Sequence, residues 1–164
     1  MTWNLLTRVL HWAVAVPVLL NFFLDGEDDP HRIAGYVSLA AVALRVAWGC
    51  TTTDFAHFRH FPISASKTIY FLKNLLRGEK DDHQGHNPLA SWVYIFMWIL
   101  VAALGVTGYL MGTDQFWGEE WLGNLHSNTS LALEGLVIIH IIGLITDSIR
   151  FKRHTWRGML DGKK

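Results

Sequence analysis

Long apolar runs interrupted by short charged clusters organise this chain. Between Arg8 and Asp25 there is no charged residue, and between Arg32 and Arg45 there is none, with the apolar run continuing to Trp48. From His83 to Thr113 the chain carries no Asp, Glu, Lys or Arg, and between Glu120 and Asp147 the one charge is Glu134. A helix needs about 20 mostly apolar residues to cross the hydrocarbon core of a bilayer. The pattern predicts four spans, at about 5–24, 31–50, 89–111 and 126–150. The first two are slightly short and, taken alone, also suit buried helices of a soluble bundle.

Loop charge separates those alternatives. Asp25, Glu27, Asp28 and Asp29 follow the first span, and Asp114, Glu119 and Glu120 follow the third. The long middle connection carries Arg59, Lys67, Lys73, Arg77 and Lys80, and the tail carries Arg150, Lys152, Arg153, Arg157, Lys163 and Lys164. Arg8 lies at the start of the first span. Basic residues thus collect on alternate loops, which is the positive-inside pattern and gives a soluble bundle no advantage. The expected fold is all-α: a transmembrane four-helix bundle with cytoplasmic N and C termini, one multi-pass domain over residues 1–164. No small-residue cleavage site follows the first span, which is read as retained. Trp12, Trp48, Trp92, Trp117 and Trp121 fall near span ends, where an aromatic belt would meet the lipid headgroups. Residues 66–77 alternate apolar and basic groups at helical spacing, as a short helix on the cytoplasmic surface or an ordinary amphipathic loop helix does.

Composition narrows the chemistry. Of 164 residues, 51% are apolar, which excludes disorder. Lys plus Arg and Asp plus Glu both total 14, so the basic excess of a nucleic-acid binder is missing. One cysteine, Cys50, cannot form an internal disulfide, a CxxC zinc site, an iron–sulfur cluster or the CxxCH attachment of a c-type haem. Nine histidines remain as the main chemical signal.

Histidine is costly inside a bilayer and usually has a task there. On the fourth span His126 and His140 are separated by 14 positions, which at 100° each is about 40° short of four turns and rises about 21 Å. Both therefore project from one side of the helix, near opposite membrane surfaces. His11 lies about two turns into the first span and matches the depth of His140. His31 opens the second span and matches the depth of His126. Two pairs at two depths are what two stacked bis-histidine haems require. Ala15, Gly35 and Ser130 stand four residues after His11, His31 and His126, on the same helix faces, and leave room for a flat macrocycle. His140 has Gly143 at +3 but Leu144 at +4 and fits this rule less well. Such haems would be held by coordination and packing alone, as b-type haems are. A zinc or copper transporter would cluster its histidines at one depth instead.

Charged residues accompany the histidines. Arg45 lies 14 residues beyond His31, level with His11 and His140, and Arg8 lies one turn before His11. Both are candidate partners for haem propionates, which need cations; Arg32, beside His31, is a weaker candidate for the other haem. All three are also ordinary topology charges. Glu134, the one mid-membrane acid, is a candidate proton relay or hydrogen-bonding group. The third span has no ligand histidine, and Gly105, Gly108 and Gly112 suit close helix packing.

The ordered set Arg8-Val-Leu-His11-Trp12, His31 with Gly35 and Arg45, Gly85-His86-Asn87-Pro88-Leu89, and His126 with His140 resembles the bacterial cytochrome b561 family over nearly the whole chain. That family includes the cytochrome b subunits of nickel–iron hydrogenases. The resemblance implies two haem b groups, His11 and His140 holding the cytoplasmic-side one and His31 and His126 the periplasmic-side one. It further implies electron transfer between a periplasmic redox protein (a c-type cytochrome, or a hydrogenase or reductase subunit) and a ubiquinone or menaquinone pool. His86 and Asp147 border the region where a quinone headgroup would need a proton partner, and Asn87 suits a helix cap. Lipid and a second copy in a homodimer are the other expected partners. Alternative functions are a self-sufficient quinone-linked oxidoreductase, such as a superoxide oxidase or ferric reductase, and a passive anchor or haem-binding sensor.

Overall fold

The computed structural model of the chain describes residues 3–24, 26, 28–53, 56–77, 87–150, 152 and 154–162. These residues form five α-helices and two short 3-10 turns, with no strand among them. The helices are α1 (Leu5–Asn21), α2 (Asp29–Thr51), α3 (Ala65–Leu76), α4 (Pro88–Met111) and α5 (Glu120–Arg150). The 3-10 turns are Phe58–His60 and Thr155–Met159. Helices α2, α4 and α5 are long and apolar enough to cross a membrane; α1 is apolar but has 17 residues.

Local chemistry explains the boundaries. Asn4 caps α1 by accepting from Leu6 N at 2.9 Å. Asn87 caps α4 by accepting from Leu89 N at 2.8 Å and Ala90 N at 3.3 Å, with Pro88 pre-set for the first turn. Helix α1 ends at Asn21 rather than near residue 24, because Phe23 N and Leu24 N both return to Leu20 O in a closing turn. Helix α5 starts at Glu120 rather than at residue 126. Gly118 takes a φ of +79°, which turns the chain just before the helix, and the Glu120 carboxylate suits the positive end of the helix dipole. The amphipathic segment expected at 66–77 is α3.

The helices pack in the order α1, α2, α4, α5, and α3 lies against α4. Buried residues on α2 are Ser38, Ala41, Val42, Arg45 and Gly49, a stripe at three- and four-residue spacing whose mostly small side chains let neighbouring helices approach. Gly105 serves the α2–α4 contact, since a Cβ there would lie 2.7 Å from Leu39 Cδ2. Helices α1 and α5 are not among the closely packed pairs. They face each other across a cavity of about 530 Å3. Large apolar side chains at Leu5, Val9, Val16, Ile138, Ile142 and Ile149 point outward and are exposed. A soluble protein would bury them; a lipid-facing surface leaves them there.

Val18 of α1, Val42 of α2, Val101 of α4, and Leu133 and Val137 of α5 form the buried core. Val18 comes seven residues after His11 and Leu133 seven after His126, a rise of about 10.5 Å in each case. The core therefore lies midway between the two histidine depths and separates them with apolar side chains.

Glycine substitutions distinguish tight from open positions. A Cβ at Gly49 would lie 2.6 Å from Phe58 Cζ and 2.7 Å from Arg45 Nη1, whereas nothing stands within 4 Å of one at Gly135. Gly49→Val is expected to destabilise by about 1–3 kcal/mol through overpacking. Gly135→Ala is expected to stabilise by about 0.5–1 kcal/mol through helix propensity. Denaturant unfolding in detergent micelles reads both.

Candidate functional site

Each expected pair of histidines meets across the gap. The rings of His11 on α1 and His140 on α5 have centroids 6.5 Å apart, with planes inclined at 56°. Those of His31 on α2 and His126 on α5 are 6.2 Å apart, inclined at 58°. Two imidazoles on opposite sides of one metal, with metal–nitrogen bonds of about 2.0–2.1 Å and about 1.1 Å from nitrogen to ring centre, have ring centres about 6.3 Å apart. Both pairs therefore have the separation that one intervening metal sets. Among the described residues no three His, Cys, Asp or Glu side chains converge to hold an ion by themselves. Two opposed imidazoles match the two axial positions that a tetrapyrrole leaves to its protein.

The cavity occupies the half of the bundle that holds His11 and His140. Its walls include both of them with Ala15, Gly143, Tyr94 and Arg45, and the central valines close its far end. Its size falls within the usual range of cofactor pockets, about 300–1,000 Å3. Tyr94 stands edge-on to His140 at 5.4 Å. The small side chains expected beside the histidines are thus partly accounted for: Ala15 and Gly143 line the cavity, and a Cβ at Gly35 would lie 3.8 Å from Asn21 Nδ2.

Arg45 is buried at this depth. Its Nη2 donates to Ala56 O at 3.0 Å, and its guanidinium lies over the Trp98 ring at 5.2 Å and the Phe58 ring at 5.5 Å. Aromatic faces make a buried cation tolerable, and this guanidinium lies at the cavity wall. Arg8 is placed differently. It does not line the cavity; its Nη1 donates to Leu160 O at 2.6 Å, and it ties the C-terminal segment to α1. Arg32 is exposed and forms a surface pair with Asp29 at 3.6 Å, a contact worth little in solvent.

The remaining candidates divide. Asp147 lines the cavity, and its Oδ2 accepts from the Thr155 hydroxyl at 2.6 Å. Glu134 is exposed on α5 and is not among the described residues of the cavity wall. His86 lies outside the described residues. Sequence reasoning missed Thr107, Tyr94, Phe58 and Trp98. Thr107 Oγ1 stands 2.8 Å from His126 Nδ1. A Cβ on the neighbouring Gly108 would lie 3.4 Å from His126 Cε1, so α4 offers that ring a close-fitting wall. The available signal was a lone threonine next to a glycine in an apolar span.

A family model described as prokaryotic cytochrome b561 matches residues 2–162. The chain belongs to the prokaryotic cytochrome b561 family. No curated protein and no solved structure matches it. As a cytochrome b561 it is a multi-pass bacterial membrane protein, a b-type cytochrome that binds haem b and works in electron transfer. The opposed imidazoles, the largely apolar cavity and the buried cation of this cytochrome fit that group.

Gly108 gives a direct check on the wall beside His126. The Gly108→Val protein is expected to keep its helical circular dichroism but to bind haem b about 10- to 100-fold more weakly, as when support for a ligand is lost. Haem content per chain after purification measures it.

Proposed function

We propose that this cytochrome b561 carries two haem b groups and moves electrons across the bacterial inner membrane between a periplasmic redox protein and the quinone pool. The observation that carries the proposal is the pair of opposed histidine couples, 6.5 and 6.2 Å between ring centres, at two depths about 21 Å apart along α5. His11 and His140 would hold one haem, and His31 and His126 the other. When bound, haem b would supply a reversible one-electron couple.

The chain's own residues do the rest. Arg45, held by Trp98, Phe58 and Ala56 O, offers a desolvated cation for a propionate in the basic half. Arg8 has a buried Nε with no hydrogen bond among the described residues, which leaves it a donor for the same purpose. The valine and leucine core excludes water between the two halves. Asp147, at the cavity wall near the end of α5, is the acid best placed to exchange a proton with a quinone headgroup, ubiquinone or menaquinone, and His86 is its expected neighbour in sequence-based topology. We also propose that the whole chain is one domain with four crossings and both termini in the cytoplasm, on the alternation of acidic and basic loops. The 17 residues of α1 can cross with snorkelling and local thinning of the bilayer.

Two measurements test this. A pyridine haemochrome count on the detergent-purified chain is expected to give two b haems, falling to one in both His126→Ala and His140→Ala, with a different spectral component lost in each. One haem in the unmodified chain, or the same component lost in both variants, refutes the paired assignment. Cys50, the single cysteine, is exposed at the end of α2. An impermeant maleimide is expected to label it in inside-out vesicles and not in intact spheroplasts; the reverse pattern inverts the topology.

A further inference from the structure

Among the described residues, His126 is the one of the four paired histidines whose ring nitrogen has a side-chain hydrogen-bond partner. That partner is Thr107, 93% buried by area on α4 and just 7% exposed. His31 presents a contrast in the same pair, since its buried Nδ1 makes no hydrogen bond. His140 meets the ring of Tyr94 instead.

The protons at Thr107 can be counted. Oγ1 lies 2.8 Å from Ala103 O and 3.2 Å from Leu104 O, both backbone carbonyls that only accept. The single hydroxyl proton goes to this side, as is usual for threonine within a helix. The 2.8 Å contact with Nδ1 then needs the imidazole to supply its own proton. Nδ1–H donates to Oγ1, so Nε2 is the bare nitrogen of the neutral ring. The opposite assignment, with the hydroxyl donating to Nδ1, would put the proton on Nε2 and deny it to a metal. Gly108, next on the same helix, leaves the ring its place there, since a Cβ at that position would lie 3.4 Å from His126 Cε1.

We infer that Thr107 is a positioning residue, which fixes the tautomer of His126 and, by drawing on its Nδ1 proton, makes Nε2 a stronger donor and lowers the reduction potential of the haem it holds. The inference rests on the proposal that His126 is an axial ligand. A hydrogen bond from the distal ring nitrogen raises ligand basicity, and a more basic ligand favours ferric over ferrous iron. His31, lacking such a bond, leaves the tuning of that pair to Thr107.

The test uses the full chain in mild detergent, with Thr107→Val, which keeps the shape and removes the hydroxyl, and Thr107→Ser, which keeps the hydroxyl. Optical redox titration resolves the haems, and the component missing from His126→Ala identifies the one concerned. Thr107→Val is expected to raise the potential of that component alone, shifting its ferrous-to-ferric ratio at fixed potential about tenfold, or about 59 mV for one electron. Thr107→Ser is expected to match the unmodified protein. Equal potentials in Thr107→Val and the unmodified protein, an equal shift of both components, or a serine variant that behaves like the valine one would overturn the inference. If Thr107→Val loses the haem outright, retention in Thr107→Ser with unchanged ferric low-spin electron paramagnetic resonance supports the role, and loss in both refutes it. Should His126→Ala keep both haems, it is the ligand assignment that fails, whatever Thr107 does.

Discussion

Two imidazoles that are to share one metal must face each other at a set distance, and this bundle holds two such pairs at that distance. His11 and His140 meet across a slot between α1 and α5, and His31 and His126 meet between α2 and α5. The slot exists because α1 and α5 are kept from packing on each other, while α1 on α2, α2 on α4 and α4 on α5 pack closely. A glycine stands at each of those contacts: Gly35 beside Asn21, Gly105 beside Leu39 and Gly108 beside His126. Tight packing on three sides and open space on the fourth is an arrangement that apolar association alone would collapse. A flat prosthetic group filling the space would restore the lost contacts, so its binding and the stability of the fold are linked.

The two halves of the bundle are furnished differently. The basic half is rich in cation and aromatic surface, with Arg45 sandwiched near Trp98 and Phe58 and Tyr94 set against His140. The C-terminal segment seals its end. Trp12 Nε1 donates to Met159 O at 2.9 Å, Arg8 to Leu160 O, and Trp3 N to Gly162 O at 3.0 Å, while Thr155 donates to Asp147. These bonds join the first and last parts of the chain over the cavity that holds His11 and His140. Among the described residues the acidic half has no such strap, and Thr107 and Gly108 of α4 stand beside the His126 ring. Between the halves lies the valine and leucine core, and the buried Ser38 at that depth turns its hydroxyl onto Ala34 O at 2.9 Å.

Much of this was legible before any coordinates. Helix α4 has the start that Asn87 and Pro88 predict, and α3 falls where the alternating basic and apolar residues suggest a short helix. The pairing of His11 with His140 and of His31 with His126 also follows from position along the chain, since each residue of a helix adds a fixed rise and a fixed turn. The start of α5 was less legible. His126 marks a functional depth, but the helix begins at Glu120, where Gly118 turns the backbone. The place of Arg8 one turn before His11 points to a propionate partner, but spacing does not show that its Nη1 also reaches the carbonyl of Leu160.

The sequence by itself determined the helices, their depth and which histidines are level, because a helix converts residue number into height and hydrophobicity into burial in lipid. It also determined, through the full-length family match, that the chain is a b-type cytochrome. The tertiary structure alone decided what stands beside each ring. Thr107 and His126 are 19 residues apart, Trp12 and Met159 are 147 apart, and Arg8 and Leu160 are 152 apart. No period relates such positions. They meet because helices from different parts of the chain pack side by side, and lateral neighbours are set by the shapes of packed side chains rather than by spacing along the chain.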